Sequence, residues 1–389
     1  KIKMEKFKNS INGITLVALV ITIIILLILA TISIQSLTNT GLFKKAQEAK
    51  EKTQAAEINQ AKILNEYEEE LNKYVSGNIE EEKDPIKKVA NKVLNSTENT
   101  LLKDKNGNKI VIPAGFKIIS DNTTNNATTV DKGIVIEDST SGITAGSQFV
   151  WIPIGEIIKE DGTKSTISLN RYTFDNDGNP TAQNNSIIDN YYQELDSSNK
   201  GNVVAKSISN FKSSVSTNGG FYIGRYEART SKARASSEDA LTPITEIGTE
   251  YVYYFITQPQ AANLAQNMYN TSTFTSDLIN SYAWDTTTLF LQNCSANKKY
   301  STKVSINNIF APKGTKNINE NDIICNIYDI SSNIGEWTTE TSSNENAPCT
   351  RRGGDYGSND YYITSIRDSG SKSHNNPYVG FRPILYINN

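Results

Sequence analysis

Hydrophobic patterning divides the chain into three stretches. Between Lys8 and Lys44 there is no charged residue, and within that gap Ile14–Ile34 reads ITLVALVITIIILLILATISI, 21 residues of Ile, Leu, Val, Ala, Thr and Ser. At 1.5 Å per residue a helix of that length spans roughly 30 Å, the thickness of a bilayer core. The run is too long and uniform for a secretory h-region, and no small-residue cleavage site follows it. Lys1, Lys3, Lys6 and Lys8 against Glu5 make a positive leader, which places the rest of the chain on the outer side. The second stretch, Lys44–Val75, lacks Pro and Gly and repeats Ile58, Ala61, Leu64, Tyr67, Leu71 and Tyr74 at helical spacing. Opposite charges four apart, such as Glu48 and Lys52, suit its solvated face. Ser76-Gly77 and the Glu80–Pro85 run then break the helix.

From about Leu102 the pattern changes completely. Short β-branched and aromatic runs (Lys109–Pro113, Gly133–Ile136, Gln148–Pro153, Gly220–Tyr226) are separated by Asn, Gly, Ser and Thr. Asp104–Lys109 reads as a hairpin turn. Pro259–Tyr269 and Ser276–Gln292 read as helices. The expected fold is α+β: a long N-terminal helix, then an irregular head of short strands, two helices and long loops. The expected divisions are a leader over 1–13, a transmembrane or filament-core helix over 14–35, a helical stalk over 36–76, a linker over 77–101 and a head over 102–389.

Composition narrows the chemistry. Lys plus Arg number 39 against 42 Asp plus Glu, so no basic face for nucleic acid is expected. The chain has one His and three Cys (Cys294, Cys325, Cys349) without a CxxC. That excludes sites built on several imidazoles and zinc knuckles, and it allows at most one disulfide within the chain. No phosphate-binding glycine loop is present.

Asn12-Gly13-Ile14-Thr15-Leu16, placed between the basic leader and the apolar run, resembles the processing site of type IV prepilins and pseudopilins. The resemblance implies cleavage after Gly13, a mature end at Ile14 and packing of the helix against other pilin subunits. Those families carry Glu at the fifth mature position, and here it is Ala18. A minor or tip subunit, or a plain membrane anchor, fits that departure better than a major pilin.

Four motifs occur in order in the head: Gly219–Glu227, Ser281–Asp285, Asn326–Thr338, and Arg351–Tyr356 closed by Val379–Pro383. This order resembles the formylglycine-generating enzyme/sulfatase-modifying factor family, a branch of the C-type-lectin-like fold. By their own chemistry these residues read as structural. Gly353-Gly354 permits unusual backbone, Trp337 and Phe381 anchor a core, and Glu336 with Arg382 suits a buried charge-assisted pair. The oxidase members use a Cys pair after the Gly-Gly motif, where this chain has Ser358 and Ile363. The related sulfoxide synthases use three His, where this chain has only His374. No catalytic residue and no enzyme activity are expected.

Asp355–Tyr378 reads DYGSNDYYITSIRDSGSKSHNNPY, in which 17 of 24 residues are Asp, Asn, Ser, Thr, Tyr or His. That is the composition of a binding surface made of rigid aromatics and adaptable polar groups. It resembles the hypervariable patch of lectin-fold proteins targeted by diversity-generating retroelements. The resemblance implies that Asp355, Tyr356, Ser358, Asn359, Asp360, Tyr361, Tyr362, Ser371, Ser373, His374, Asn375 and Asn376 face a ligand. No cofactor is expected, although such folds often hold calcium, for which Asp329 and Asn333 are oxygen donors. The functional expectation is a non-catalytic adhesin or receptor on the cell surface or at a pilus tip, binding an extracellular protein or glycan. The alternative is a structural minor pilin that assembles or caps a filament.

Overall fold

The computed structural model describes residues 19–31, 50, 52–53, 60, 63, 83–120, 127–183, 192–194, 206, 208–304, 322–342, 344–357 and 362–388. The chain divides into two compact units, Lys1–Glu81 and Glu82–Asn389. In the first, residues 19–31 are helical and all exposed. Thr22 and Thr31 return their hydroxyls to the carbonyls of Leu19 (2.9 Å) and Leu27 (2.7 Å), which satisfies their polar groups within the helix. Among the described residues, no helix is long and apolar enough to cross a membrane. The rest of the apolar run, the Gly13–Ile14 junction and most of the expected stalk lie outside the described residues.

The second unit is α+β. Its helices are α1 (Pro85–Val89), α2 (Ile208–Asn218), α3 (Gln258–Met268) and α4 (Ser281–Cys294). Its principal strands, in chain order, are β1 (Phe116–Ile118), β2 (Val135–Asp138), β3 (Gln148–Pro153), β4 (Tyr192–Glu194), β5 (Gly220–Gly224), β6 (Phe274–Leu278), β7 (Ile323–Ile324), β8 (Ile327–Tyr328), β9 (Gly335–Ser342), β10 (Cys349–Arg352), β11 (Asp368–Gly370), β12 (Val379–Phe381) and β13 (Pro383–Ile387).

A six-stranded antiparallel sheet runs in the order β6-β13-β5-β3-β2-β1. Both of its faces are buried, which is why its central strands read as unbroken apolar runs. Val150, Ile152, Phe221, Ile223, Ile384 and Tyr386 join one core cluster with Phe211 and Val215 of α2 and Trp284, Phe290 and Leu291 of α4. The alternating residues Phe149, Trp151, Tyr222, Leu385 and Ile387 join a second cluster with Phe116, Phe274 and Ile86. A second, five-stranded sheet runs β4-β9-β10-β11, with β12 parallel to β9. The closing strands β12 and β13 thus belong to different sheets and link them through Arg382.

One expectation is corrected. The expected helix over Ser276–Gln292 begins as strand β6, because Ser276–Leu278 pair with β13. Asn280 then starts α4 by accepting Ala283 N–H at 2.9 Å. Pro85 opens α1, where Asp84 accepts the Ile86 amide at 2.9 Å; the expected break at Ser76-Gly77 lies outside the described residues. Ile86 is fully buried, in the cluster that holds Ile110 and Phe116. Helix α2, unexpected from the sequence, packs Phe211 against Phe221 and Tyr386 with ring centroids 5.4 and 5.5 Å apart.

Candidate ligand-binding surface

Two buried ion networks hold the four sequence motifs together. Arg382 is bidentate on Glu336 (Nε 3.1 Å to both carboxylate oxygens, Nη2 2.7 Å) and also donates to the carbonyls of Gly224 (2.9 Å) and Tyr328 (2.8 Å). One guanidinium therefore fastens β5, β8 and β9. Burial pushes the Glu336 carboxyl above its usual range despite the Arg382 charge. Removing one partner from such a buried pair costs about 3–5 kcal/mol, because the other charge stays desolvated.

The second network joins Asp285 of α4, Glu340 of β9, Arg352 of β10 and Arg367. Arg352 and Arg367 each bridge both carboxylates, with Glu340 at 3.1 and 2.9 Å respectively. Burial disfavours the Glu340 charge, but the two guanidiniums outweigh it and hold the carboxyl below its usual range. Sequence reading missed this network, whose members lie in or beside the four motifs without a fixed spacing. Gly353 turns the chain out of β10 at φ +75°, and a Cβ there would sit 2.7 Å from the Ile330 carbonyl. Glycine is required on both counts.

These anchors position the polar loops. Asp355 is buried and accepts the Gly357 amide at 2.8 Å. Tyr356 is half-buried, its amide donating to the Asn333 carbonyl (2.8 Å) and its hydroxyl to the Pro377 carbonyl (3.3 Å). Its ring lies against Tyr378 at 4.8 Å between centroids. Asn376 accepts the Tyr378 amide at 2.9 Å, and its backbone carbonyl accepts the Phe255 amide at 3.2 Å. His374 places its ring edge on Trp337 at 5.7 Å and shares a 3.1 Å hydrogen bond with Asn376. Burial and the Arg351 charge lower its pKa, so the imidazole is neutral at pH 7. Ser371 and Ser373 approach each other at 3.3 Å, and Asn375 donates to the Ser373 carbonyl at 2.9 Å.

The structure thus brings Asp355 and Tyr356 to the 371–376 turn through Tyr378 and Pro377. Tyr362 lies against the second sheet instead, under the Arg351 guanidinium at 5.3 Å, which in turn pairs with Asp368. Ser358, Asn359, Asp360 and Tyr361 lie outside the described residues. Ile363 forms an isolated bridge with Val304.

The sequence reading missed the other half of this surface. Val252, Tyr254 and Ile334 form a small cluster on which Phe255 and Tyr356 pack. Tyr254 and Phe255 are 5.1 Å apart, and Phe255 has φ +51°, a left-handed conformation unusual for an aromatic residue. Arg234 holds it there, donating to the carbonyls of Tyr254 and Phe255 at 3.1 Å each while spanning the 236–240 loop. The aromatic run Tyr251–Phe255 was the available signal. Burial raises the pKa of Tyr254 and Tyr356, so their hydroxyls stay protonated at neutral pH.

Asp329 and Asn333 are both buried, and both are left-handed at φ +63° and +66°. The Asn333 amide donates to Glu227, whose carboxyl is pushed well up by burial and by Asp329. Among the described residues, no group of three or more His, Cys, Asp or Glu is arranged to hold a metal ion.

No protein-family model and no curated protein matches the chain. Among solved structures it is similar to Treponema denticola variable protein 1, at 11% identity and a TM-score of 0.36, over 64% of this chain and 98% of that one.

Proposed function

We propose that the second unit is a C-type-lectin-like head that binds an extracellular protein or glycan, without catalysis, through the surface around Tyr254, Phe255, Tyr356, Tyr378 and the 371–376 turn. The observation that carries this reading is Phe255. A half-buried aromatic side chain held in left-handed backbone by a buried arginine stores strain that folding alone does not require. Beside it lie tyrosine rings and short amide and hydroxyl side chains, a combination that supplies contact area and adaptable hydrogen bonds. In this reading the apolar N-terminal segment anchors the head at the cell surface or in a filament, cleavage after Gly13 gives the pilin form, and the Asp355–Tyr378 loops vary among gene copies. No cofactor is required.

The test compares the parent chain with a Phe255→Asn/Tyr356→Ser double variant on a glycan array and on immobilised surface proteins. Asn tolerates left-handed backbone, so the fold should survive. Loss of retention by a variant that still unfolds in one cooperative transition is the expected result. Equal retention by the two proteins would remove this surface from the function.

A second reading, a minor pilin that caps or primes a filament, is favoured by the helical segment 19–31, where Leu26 and Leu27 are 65% and 62% exposed. Removing the head at Gly77 separates the two: filaments persist under the structural reading, and adhesion disappears under the first.

A further inference from the structure

We infer that Cys294 and Cys325 are partners in a disulfide that forms when the chain folds under oxidising conditions, with Cys349 left as a thiol. All three cysteines are free in the structure, and their placement separates them into a pair and a single. Cys294 ends α4, and Cys325 begins the two-residue turn between β7 and β8. Both line one cavity of about 460 Å³, together with Lys132, Glu160 and Ile323. Both also pack against the same core cluster. Asp131, Lys132 and Lys298 act on both thiols, and after burial Cys294 is the largest influence on Cys325. Cys349 sits on β10, in a different cluster beside Trp337 and Phe381, and the charge acting on it is Lys372.

The turn that carries Cys325 is held in place. Cys325 and Asn326 have φ of +48° and +62°, the left-handed pair that a two-residue hairpin turn demands. Asn and Gly ordinarily fill such turns, so a β-carbon-bearing Cys at the first position costs backbone energy. The Cys325 carbonyl lies so close to Gly133 that a Cβ there would meet it at 1.9 Å. The Cys325 thiol donates to the Asp131 carbonyl at 3.4 Å.

Burial raises both thiols, Cys294 to about 12, so neither is an effective nucleophile once the fold has closed. The bond forms by thiol–disulfide exchange with an external oxidant. One thiol attacks a small-molecule disulfide such as oxidised glutathione, releasing one reduced thiol. The second cysteine then displaces the mixed disulfide, releasing another. Two S–H bonds are lost, one S–S bond forms, and the oxidant takes up both electrons and both protons. The inference is independent of the ligand-binding reading, because it requires only an oxidising medium.

The experiment refolds the full chain in detergent with mixed oxidised and reduced glutathione, blocks free thiols with N-ethylmaleimide in denaturant, and digests without reduction. Glu320 separates Cys294 from Cys325 on cleavage, and Glu336, Glu340 and Glu345 separate Cys325 from Cys349. The expected product is a cross-linked peptide pair joining Cys294 to Cys325, two hydrogens lighter than its reduced parts, with the label on Cys349. Three labelled cysteines, or a bridge that includes Cys349, would overturn the pairing. The melting temperature should rise by roughly 5–10 °C on oxidation. That rise should vanish in Cys294→Ser and in Cys325→Ser and survive in Cys349→Ser; a rise retained in either of the first two also overturns it.

Discussion

At some buried carboxylates desolvation outweighs hydrogen bonding and pairing. Asp277 shows it clearly: its carboxylate accepts from Gln266 (3.0 Å) and from the Leu278 amide (2.8 Å), yet burial still raises its pKa from 3.8 to about 6. Between those values the folded chain holds a proton that the unfolded chain has released. This group's stabilising contribution is therefore complete below pH 4 and is lost as pH rises through about 6, by about 3 kcal/mol in all. Thermal unfolding of the parent and of Asp277→Asn across pH 4–7 checks the sign. The difference in stability between the two should shift in favour of the Asn variant as pH rises, and a constant difference would refute the assignment. Nothing at the sequence level marks Asp277 as buried, since it sits between Ser and Leu in a polar run. Glu336 and Arg382 were legible as a pair because each lies in a recognisable motif, whereas Asp285, Glu340, Arg352 and Arg367 were not, because their proximity depends on where α4 crosses β9.

At the scale of elements, local chemistry decides boundaries wherever a cap or a turn residue is present. Thr257 and Gln260 form a reciprocal capping box at the start of α3, the Thr257 amide donating to the Gln260 side chain at 3.1 Å. Thr257→Ala should lower stability by about 1 kcal/mol, measured by denaturant unfolding. The helix carries its own start signal, and the sequence placed it within a residue or two of Gln258–Met268. The α4 region lacks that independence. Leu278 stands at helical spacing from Tyr282 and Asp285, but β13 supplies strand partners that spacing cannot reveal. Helix α2 escaped notice because Ser and Asn dilute its apolar face to Phe211 and Val215.

For the whole molecule, the two units differ in what they present to solvent. The described helical residues of the first expose their apolar side chains, Leu19 to Leu29 ranging from 48% to 65%. Patches of that kind are rare on free-standing soluble domains. The second unit, by contrast, buries most of its large apolar side chains, many of them in clusters on both faces of the larger sheet. The full chain is expected to partition into the detergent phase of a Triton X-114 separation, and residues 82–389 into the aqueous phase with a cooperative thermal transition. An aqueous full chain would contradict the anchoring role, and a non-cooperative fragment would show that the head depends on the first unit.

The sequence alone determined the features that local physics controls: the apolar N-terminal run, the short apolar strands and polar loops of an α+β head, and a polar, tyrosine-rich C-terminal loop. Each of these depends on residues close together along the chain. Only the tertiary structure decided that Tyr254 and Phe255 meet Tyr356 and Tyr378, that Arg382 ties three strands to one carboxylate, and that Cys294 shares a cavity with Cys325. Those contacts join segments many residues apart, and their energy comes from burial, which a linear pattern of side chains does not specify.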